Sequence, residues 1–290
     1  MSTPFAEQLP KPAGNGAIRL WLKSSAYTRR LLQGSAEADV WTHAASFLAW
    51  FSQSHGLLKP EVAILEVGEL FDAWIARNGG LESRLGKRRR PTAALRALLA
   101  EEEPKALLAE VIDAVDAHLR GRVPLVLAMP SPRHWLRHAN RLANQPDEAP
   151  DANTVEDASI YLADLLRAVS TKPVSGVLLE EAAGDTTFSA ADLERYSSVV
   201  NVARHYRWSL ALRLPPGTPM PGSGLEDFDA VIAQGVRDTA ASSKGRDISA
   251  EFTHSPPHPL ADGEFYFASV DPGLHPESVL ETLELLRKRA

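Results

Sequence analysis

The chain contains no cysteine among its 290 residues. This absence excludes disulfide bonds, thiolate nucleophiles, and zinc or iron–sulfur sites that use cysteine ligands. It is compatible with a reducing compartment, and we expect a cytoplasmic protein. The sequence also lacks any apolar run near the roughly 20 residues that a membrane-spanning helix needs. We therefore expect no association with a membrane.

Strong positive charge is absent as well. Acidic residues outnumber basic ones, with a formal net charge of -6 and an isoelectric point near 5.9. Such a balance argues against broad electrostatic attraction to nucleic acid or to an anionic surface. The expected ligand is a small molecule.

Short apolar runs alternate with amphipathic segments along the chain. Residues 1–16, which include Pro4, Pro10 and Pro12, are interpreted as a flexible leader, and residues 17–290 as one domain. The patterning predicts strands at 17–22, 62–67, 124–129, 174–181, 209–214, 230–235 and 265–270. It predicts helices at 38–54, 92–120, 132–144, 155–170, 190–206 and 276–289.

Strands separated by helices are typical of a parallel sheet with right-handed crossovers. An eighth strand is sought in 236–253, where Asp247–Phe252 is a weak candidate. With eight strands, the length fits a single (β/α)8 TIM-type barrel. A doubly wound open sheet is the alternative, weakened because no Gly-x-Gly-x-x-Gly follows the first strand and no P-loop motif occurs.

Charged and polar residues stand at the carboxyl ends of the predicted strands, which converge on one mouth in a barrel. Glu180 and Glu181 directly follow a buried apolar strand, and strand alternation sends only one of them toward the mouth. Glu66 and Glu180 are the candidate catalytic carboxylates, with His134 beside them. An arginine within an apolar strand needs a carboxylate partner, so Arg213 is expected to form an ion pair. The candidate substrate-binding residues are Lys23, Tyr27, Glu69, Arg133, Arg213, Gln234 and Asp271.

A helix is predicted to begin at Ser131, which is a suitable cap, with Pro132 in its first turn. His134 and His138 lie four residues apart on this helix and could bind a metal ion. The metalloprotease pattern requires glutamate directly after the first histidine, however, and Trp135 stands there. A structural helix with one histidine near the mouth is favoured, and no metal or cofactor is expected.

Four short motifs resemble those of one superfamily. They are Trp21–Lys23, the proline-led strand and turn Pro124–Pro132, Leu179–Gly184, and Val270–Pro272 with the helix start Pro276–Val279. In these motifs and their order, the chain resembles the superfamily of uroporphyrinogen decarboxylase, the cobalamin-dependent methyltransferases and cobalamin-independent methionine synthase. The resemblance implies a (β/α)8 barrel with its site at the carboxyl ends of the strands. It places Glu180 where the family has an aspartate.

The chain also departs from that family. The decarboxylases' Arg-Gln-Ala-Gly-Arg run is replaced by Ser24–Thr28, and their aspartate after the second strand falls near Gly68. Glu66 or Glu69 is then the substitute for that aspartate. The zinc-binding cysteines of the methyltransferases have no counterpart. The resemblance therefore implies a divergent member with altered chemistry.

Three functions remain open. The leading hypothesis is a decarboxylase-like lyase for a small anionic substrate, in which Glu180 or Glu66 donates a proton and Arg133 or Arg213 holds the anion. One alternative is one-carbon transfer, such as O-demethylation onto a corrinoid or folate carrier. A corrinoid would then sit on a separate protein, because no Asp-x-His-x-x-Gly motif occurs here. Another alternative is a non-catalytic binding or assembly subunit. A homodimer is the self-assembly considered.

Overall fold

The structure is a computed structural model that describes residues 5–11, 16–85, 90–145, 149–236, 242–254 and 258–289. Eight parallel strands alternate with helices, which confirms the predicted single (β/α)8 barrel. The strands are β1 (Leu20–Lys23), β2 (Ala63–Glu66), β3 (Leu125–Pro130), β4 (Gly176–Glu180), β5 (Ser209–Arg213), β6 (Ala230–Ala233), β7 (Ser243–Asp247) and β8 (Glu264–Ser269).

Helices cover the outside of the sheet. They are α1 (Phe5–Gln8), α2 (Ser25–Gln33), α3 (Ala44–Leu58), α4 (Val67–Arg77), α5 (Ala93–Leu99), α6 (Glu102–Leu119), α7 (Pro132–Leu142), α8 (Ala152–Ala168), α9 (Ala190–Glu194), α10 (Ser197–Tyr206) and α11 (Pro276–Arg289). The helix predicted at 92–120 is divided into α5 and α6. Pro104 explains this division, because it has no N–H to donate to Ala100 in a continuous helix. Two helices that directly follow strands, α2 and α4, were not predicted.

The hydrogen-bonded strand order is β1-β8-β7-β6-β5-β4-β3-β2, so β1 and β2 are the two ends of the series. The carboxylate of Glu61, just before β2, lies across this junction. Its Oε2 atom accepts hydrogen bonds from the backbone N–H of Arg19 at 2.7 Å and of Leu20 at 3.1 Å. A side chain thus takes the place of strand pairing and nearly closes the barrel.

Alternate strand residues fill the barrel interior with apolar side chains. Trp21 stacks on Phe265 with ring centroids 6.0 Å apart and packs edge-on to Phe267. Leu178 and Ile232 belong to the same buried cluster. This apolar layer stops short of the carboxyl ends of the strands. The next inward residues, at those ends, are charged.

Part of the predicted flexible leader is packed against the barrel. Phe5 and Leu9, in and next to α1, are only 4% and 1% exposed and belong to the interior cluster. The Phe5 ring meets Trp21 edge-on at 5.6 Å, and Ser243 donates a hydrogen bond to the carbonyl of Pro10. Residues 5–11 therefore differ from the leader we expected, because their apolar side chains cover the amino-terminal end of the barrel.

The strand expected within residues 236–253 is β7, at Ser243–Asp247. The weak candidate Asp247–Phe252 was therefore wrong. That segment forms a short 3-10 turn after the strand instead. Strand β7 has no apolar run, and its central residue, Gly245, has no room for a side chain. A Cβ atom on Gly245 would lie 2.5 Å from Cγ1 of Ile232 and 2.8 Å from Cζ of Phe265. Hydrophobic patterning could not detect such a strand.

Candidate functional site at the barrel mouth

Five charged side chains form a row of ion pairs across the barrel mouth. The Nζ atom of Lys23 lies 3.1 Å from Oε2 of Glu66 and also contacts Glu180. Arg213 then joins Glu180 to Asp247, through NH1 at 2.8 Å and Nε at 3.0 Å. These residues end β1, β2, β4, β5 and β7. The prediction that Arg213 pairs with a carboxylate is confirmed.

Strand alternation separates the two adjacent glutamates. Glu180 pairs in register with Arg213 of β5 and enters the row of ion pairs. Glu181 leaves the mouth, and its carboxylate accepts hydrogen bonds from Ser131 Oγ at 2.8 Å and Tyr196 OH at 2.7 Å. Only the first of the pair therefore belongs to the mouth.

The two carboxylates that contact Lys23 have very different pKa values. Burial alone raises the pKa of Glu180, but the cations Lys23 and Arg213 outweigh it and lower that pKa to about 2. Burial and the nearby Glu69 carboxylate raise the pKa of Glu66 to about 7, with Lys23 offsetting part of the rise. Glu180 is consequently a permanent anion near neutral pH, whereas Glu66 can both give and accept a proton.

A cavity of about 190 Å³ lies beside this row, and we call it the inner cavity. Lys23, Glu66, Glu180 and His134 are among its lining residues. The Nδ1 atom of His134 lies 3.0 Å from the backbone oxygen of Glu180. A carbonyl oxygen only accepts, so Nδ1 carries the hydrogen, and burial lowers the pKa of this imidazole. His134 is thus neutral, with Nε2 left as an acceptor.

Two further carboxylates on α4 line the inner cavity. Glu69 is held by both terminal nitrogens of Arg29, with NH2 at 2.8 Å from Oε1, and by Ser25 Oγ at 2.9 Å. The Oδ1 atom of Asp72 lies 2.8 Å from Nε2 of His138. Both carboxylates also line a second cavity of about 570 Å³, the outer cavity.

Sequence reasoning missed Arg29, Asp72 and Asp247 as members of this region. Asp247 would have been found as the charge that ends β7 if that strand had been recognised. Asp72 follows Glu69 by three residues, the spacing that places two side chains on one helix face. Helix α4 itself was not predicted, so nothing in the sequence indicated that these two side chains share one helix face.

Arg133, a predicted substrate-binding residue, does not line the inner cavity, and its guanidinium group forms ion pairs with two other residues. Its side chain is 3% exposed, with Nε 3.0 Å from Asp185, NH1 2.9 Å from Asp192 and NH2 2.6 Å from Thr187. Through these hydrogen bonds, the guanidinium group links the loop after β4 to the start of α7. This arrangement assigns it a structural position.

Three other predicted binding residues do not line the inner cavity. Tyr27 is buried in an apolar cluster with Leu20 and Leu58. Gln234 is exposed in the turn after β6, and Asp271 is exposed, where its Oδ1 accepts the N–H of Gly273 at 2.6 Å. The structure therefore brings together Lys23, Glu66, Glu69, His134, Glu180 and Arg213 from the predicted set.

No group of three or more histidine and carboxylate side chains is arranged to hold a metal ion within the described ranges. His134 and His138 have ring centroids 6.5 Å apart, and each makes the hydrogen bond given above. Among the same residues, no helix is both long enough and apolar enough to cross a membrane.

No protein-family model and no curated protein matches this chain. Among solved structures, it is similar to a methyltransferase from Methanosarcina mazei, with a TM-score of 0.60 and 13% identity over 98% of this chain and 97% of that one. A dihydrodipicolinate synthase from Bacillus clausii gives a TM-score of 0.35 and 13% identity over 64% of this chain and 57% of the other. A dihydrodipicolinate synthase from Agrobacterium tumefaciens gives a TM-score of 0.37 and 16% identity over 76% of this chain and 69% of the other.

At 13% identity, the full-length likeness shows a shared barrel fold. A methyltransferase is thus among the structural neighbours. A specific likeness to uroporphyrinogen decarboxylase has no support from these matches.

Proposed function

We propose that this barrel is an acid–base enzyme that transfers a proton to a small organic substrate in the inner cavity, with Glu66 as the proton-transferring group. The observation that carries the proposal is the contrast between Glu66 and Glu180 on the same lysine. Their pKa values of about 7 and about 2 are driven apart by their surroundings. Neighbouring groups separated in this way commonly divide the acid and base roles of a site.

Each neighbour of Glu66 has a defined part. Lys23 keeps the carboxylate in place, and Glu180 holds the ammonium from its other side. Burial alone would lower the pKa of Lys23, but Glu180 and Glu66 raise it, so the lysine stays charged and acts as no proton donor near neutral pH. In a lyase-type reaction, a carbon–carbon bond of the substrate breaks and one fragment leaves with a new carbonyl bond, as carbon dioxide or a carbonyl compound. Glu66 gives its proton to the carbon left with the electron pair.

The charge of the site bears on the substrate. Arg133 and Arg213, expected to hold an anion, are each neutralised by two carboxylates. Lys23 is shared between Glu66 and Glu180. A free anion would therefore meet excess negative charge in the inner cavity, which favours a neutral or cationic substrate over the anionic one expected from the sequence.

Solvent exchange tests the proposal on a panel of candidate substrates. Small amines, methoxy compounds and carbonyl compounds are incubated with the protein in D2O, and deuterium entry at carbon is followed by proton NMR. We expect exchange or turnover of at least one compound, with a pH dependence near 7, and about 100-fold or greater loss in Glu66→Gln. Glu103→Gln, an exposed change on α6, is the matched control. Undiminished activity in Glu66→Gln would contradict the assignment.

One-carbon transfer is the second candidate, favoured by the methyltransferase that matches over nearly the whole chain. The bond between a methyl group and its heteroatom would break, the methyl group would pass to a corrinoid on a separate protein, and Glu66 would protonate the heteroatom. Mixing the protein with reduced cobalamin and each methyl donor distinguishes the two reactions. A change in the visible spectrum that depends on the donor supports methyl transfer, and deuterium entry at carbon without that change supports the lyase.

A further inference from the structure

The outer cavity lies between the segment after α2 and helix α4. Its volume of about 570 Å³ is three times that of the inner cavity and within the range of small-molecule sites. Ala38, Trp41, Ala73 and Ala76 provide apolar parts of its wall. The size and lining suit the body of an organic molecule.

The two cavities meet at Glu69 and Asp72, which line both. Arg29 and Ser25 hold Glu69 in place through both of its oxygens. The Asp72 side chain is 41% exposed, and its hydrogen bond with His138 uses only Oδ1. Asp72 is therefore the carboxylate that a molecule spanning both cavities would meet with an oxygen available for contact.

Negative charge dominates the outer cavity. Four carboxylates and two guanidinium groups line it. Arg77 pairs with Asp39 and also donates to the carbonyl of Trp41 at 3.2 Å, and the second arginine pairs with its glutamate as described above. The two remaining carboxylates belong to Glu37 and Asp72. An anion would be repelled from this cavity and a cation attracted to it.

We propose that the outer cavity binds the ammonium group and apolar body of an organic cation whose reacting end lies in the inner cavity beside Glu66. The ammonium group contacts Asp72, which lines both cavities, and the apolar body packs on Trp41 and Ala73. The placement of the reacting end rests on the proposed function. The cation site itself is defined by the cavity and its charges.

Binding of choline, compared with its neutral isostere 3,3-dimethyl-1-butanol, tests the site by isothermal titration calorimetry on the full chain. We expect choline to bind about tenfold more tightly, since the two probes differ chiefly in charge. Asp72→Asn keeps a hydrogen-bonding side chain but loses the charge, and should bring choline to the affinity of the alcohol. Ala76→Phe should weaken both probes by filling the cavity, whereas Ala117→Phe, an exposed change on α6, should weaken neither.

Equal affinity of wild-type protein for the two probes would overturn the proposal. So would full choline preference in Asp72→Asn together with unchanged binding in Ala76→Phe, in variants whose thermal melting shows a folded protein. In Glu66→Gln, the preference for choline over the alcohol is expected to stay within about twofold of wild type, because Glu66 does not line the outer cavity where the ammonium group binds. If activity proves independent of Glu66 while the choline preference persists, the proposed reaction fails and the cation site stands.

Discussion

The Nζ atom of Lys23 lies 3.1 Å from Oε2 of Glu66, and the same ammonium group also contacts Glu180. One cation thus serves two buried carboxylates, and of the two, among the described residues, Glu180 forms a second ion pair, with Arg213. This inequality explains why Glu66 titrates near neutral pH and Glu180 does not. The pKa of Glu66 is therefore set by its burial, by the nearby Glu69 carboxylate and by its share of the Lys23 charge.

Replacing Lys23 by methionine is expected to raise the pKa of Glu66 above about 7, because the nearest charge that favours the ionised form is lost. The pH dependence of activity should move to higher pH, and the free energy of unfolding should fall by about 3 kcal/mol since Glu180 loses a partner. Carbon-13 NMR titration of the Glu66 carboxyl group measures the shift. Lys23→Arg is the control that keeps the charge. A pKa that stays or falls in Lys23→Met would contradict this account.

Glu180 is expected to support stability in one pH range. Its folded pKa of about 2 lies below the unfolded value near 4.5, so its contribution is fully present above pH 4.5 and is lost as pH falls toward 2. The size is about 3 kcal/mol at neutral pH. Urea unfolding of Glu180→Gln should show that loss at pH 7 and less than half of it at pH 3. Glu194→Gln, exposed on α9, serves as the comparison. Equal losses at both pH values would refute the prediction.

How much of this site the sequence could predict depends on the residue. Glu180 follows a buried apolar strand, and strand alternation and the parallel fold together place it at the mouth. Asp247, which shares Arg213 with Glu180, ends a strand of serine, lysine, glycine and arginine that carries no apolar pattern. Packing against Ile232 and Phe265 requires glycine at position 245, and such packing is a tertiary property.

Arg133 shows a different limit. It follows a strand end, as a substrate-binding residue would, and a structural arginine produces the same pattern along the chain. Its partners Asp185 and Asp192 lie more than 50 residues away along the chain, on the loop after β4 and on α9. Long-range pairs of this kind are fixed by how the loops pack, so only the structure separates a structural arginine from a binding one.

Glu181 is expected to oppose stability at neutral pH. Burial raises its folded pKa to about 7 against an unfolded value near 4.5, although Tyr196 and Ser131 donate hydrogen bonds to it. The folded protein is therefore favoured while the carboxyl group is protonated, and that advantage is lost as pH rises from about 4.5 through 7. Glu181→Gln should gain more stability, relative to wild type, at pH 8 than at pH 5, by about 2 kcal/mol in urea unfolding. The same difference at both pH values would show that the carboxyl group does not titrate in this range.

The Glu61 carboxylate is expected to hold the junction between β1 and β2. In Glu61→Ala, the backbone N–H groups of Arg19 and Leu20 lose their shared acceptor, which should cost about 2 kcal/mol of unfolding free energy. Hydrogen exchange of those two amides should accelerate more than that of Tyr266 in β8, whose N–H bonds to the carbonyl of Arg19. Glu61→Gln keeps the carbonyl oxygen and should lose less than half as much. Unchanged exchange of both amides in Glu61→Ala would mean that another group closes this side of the barrel.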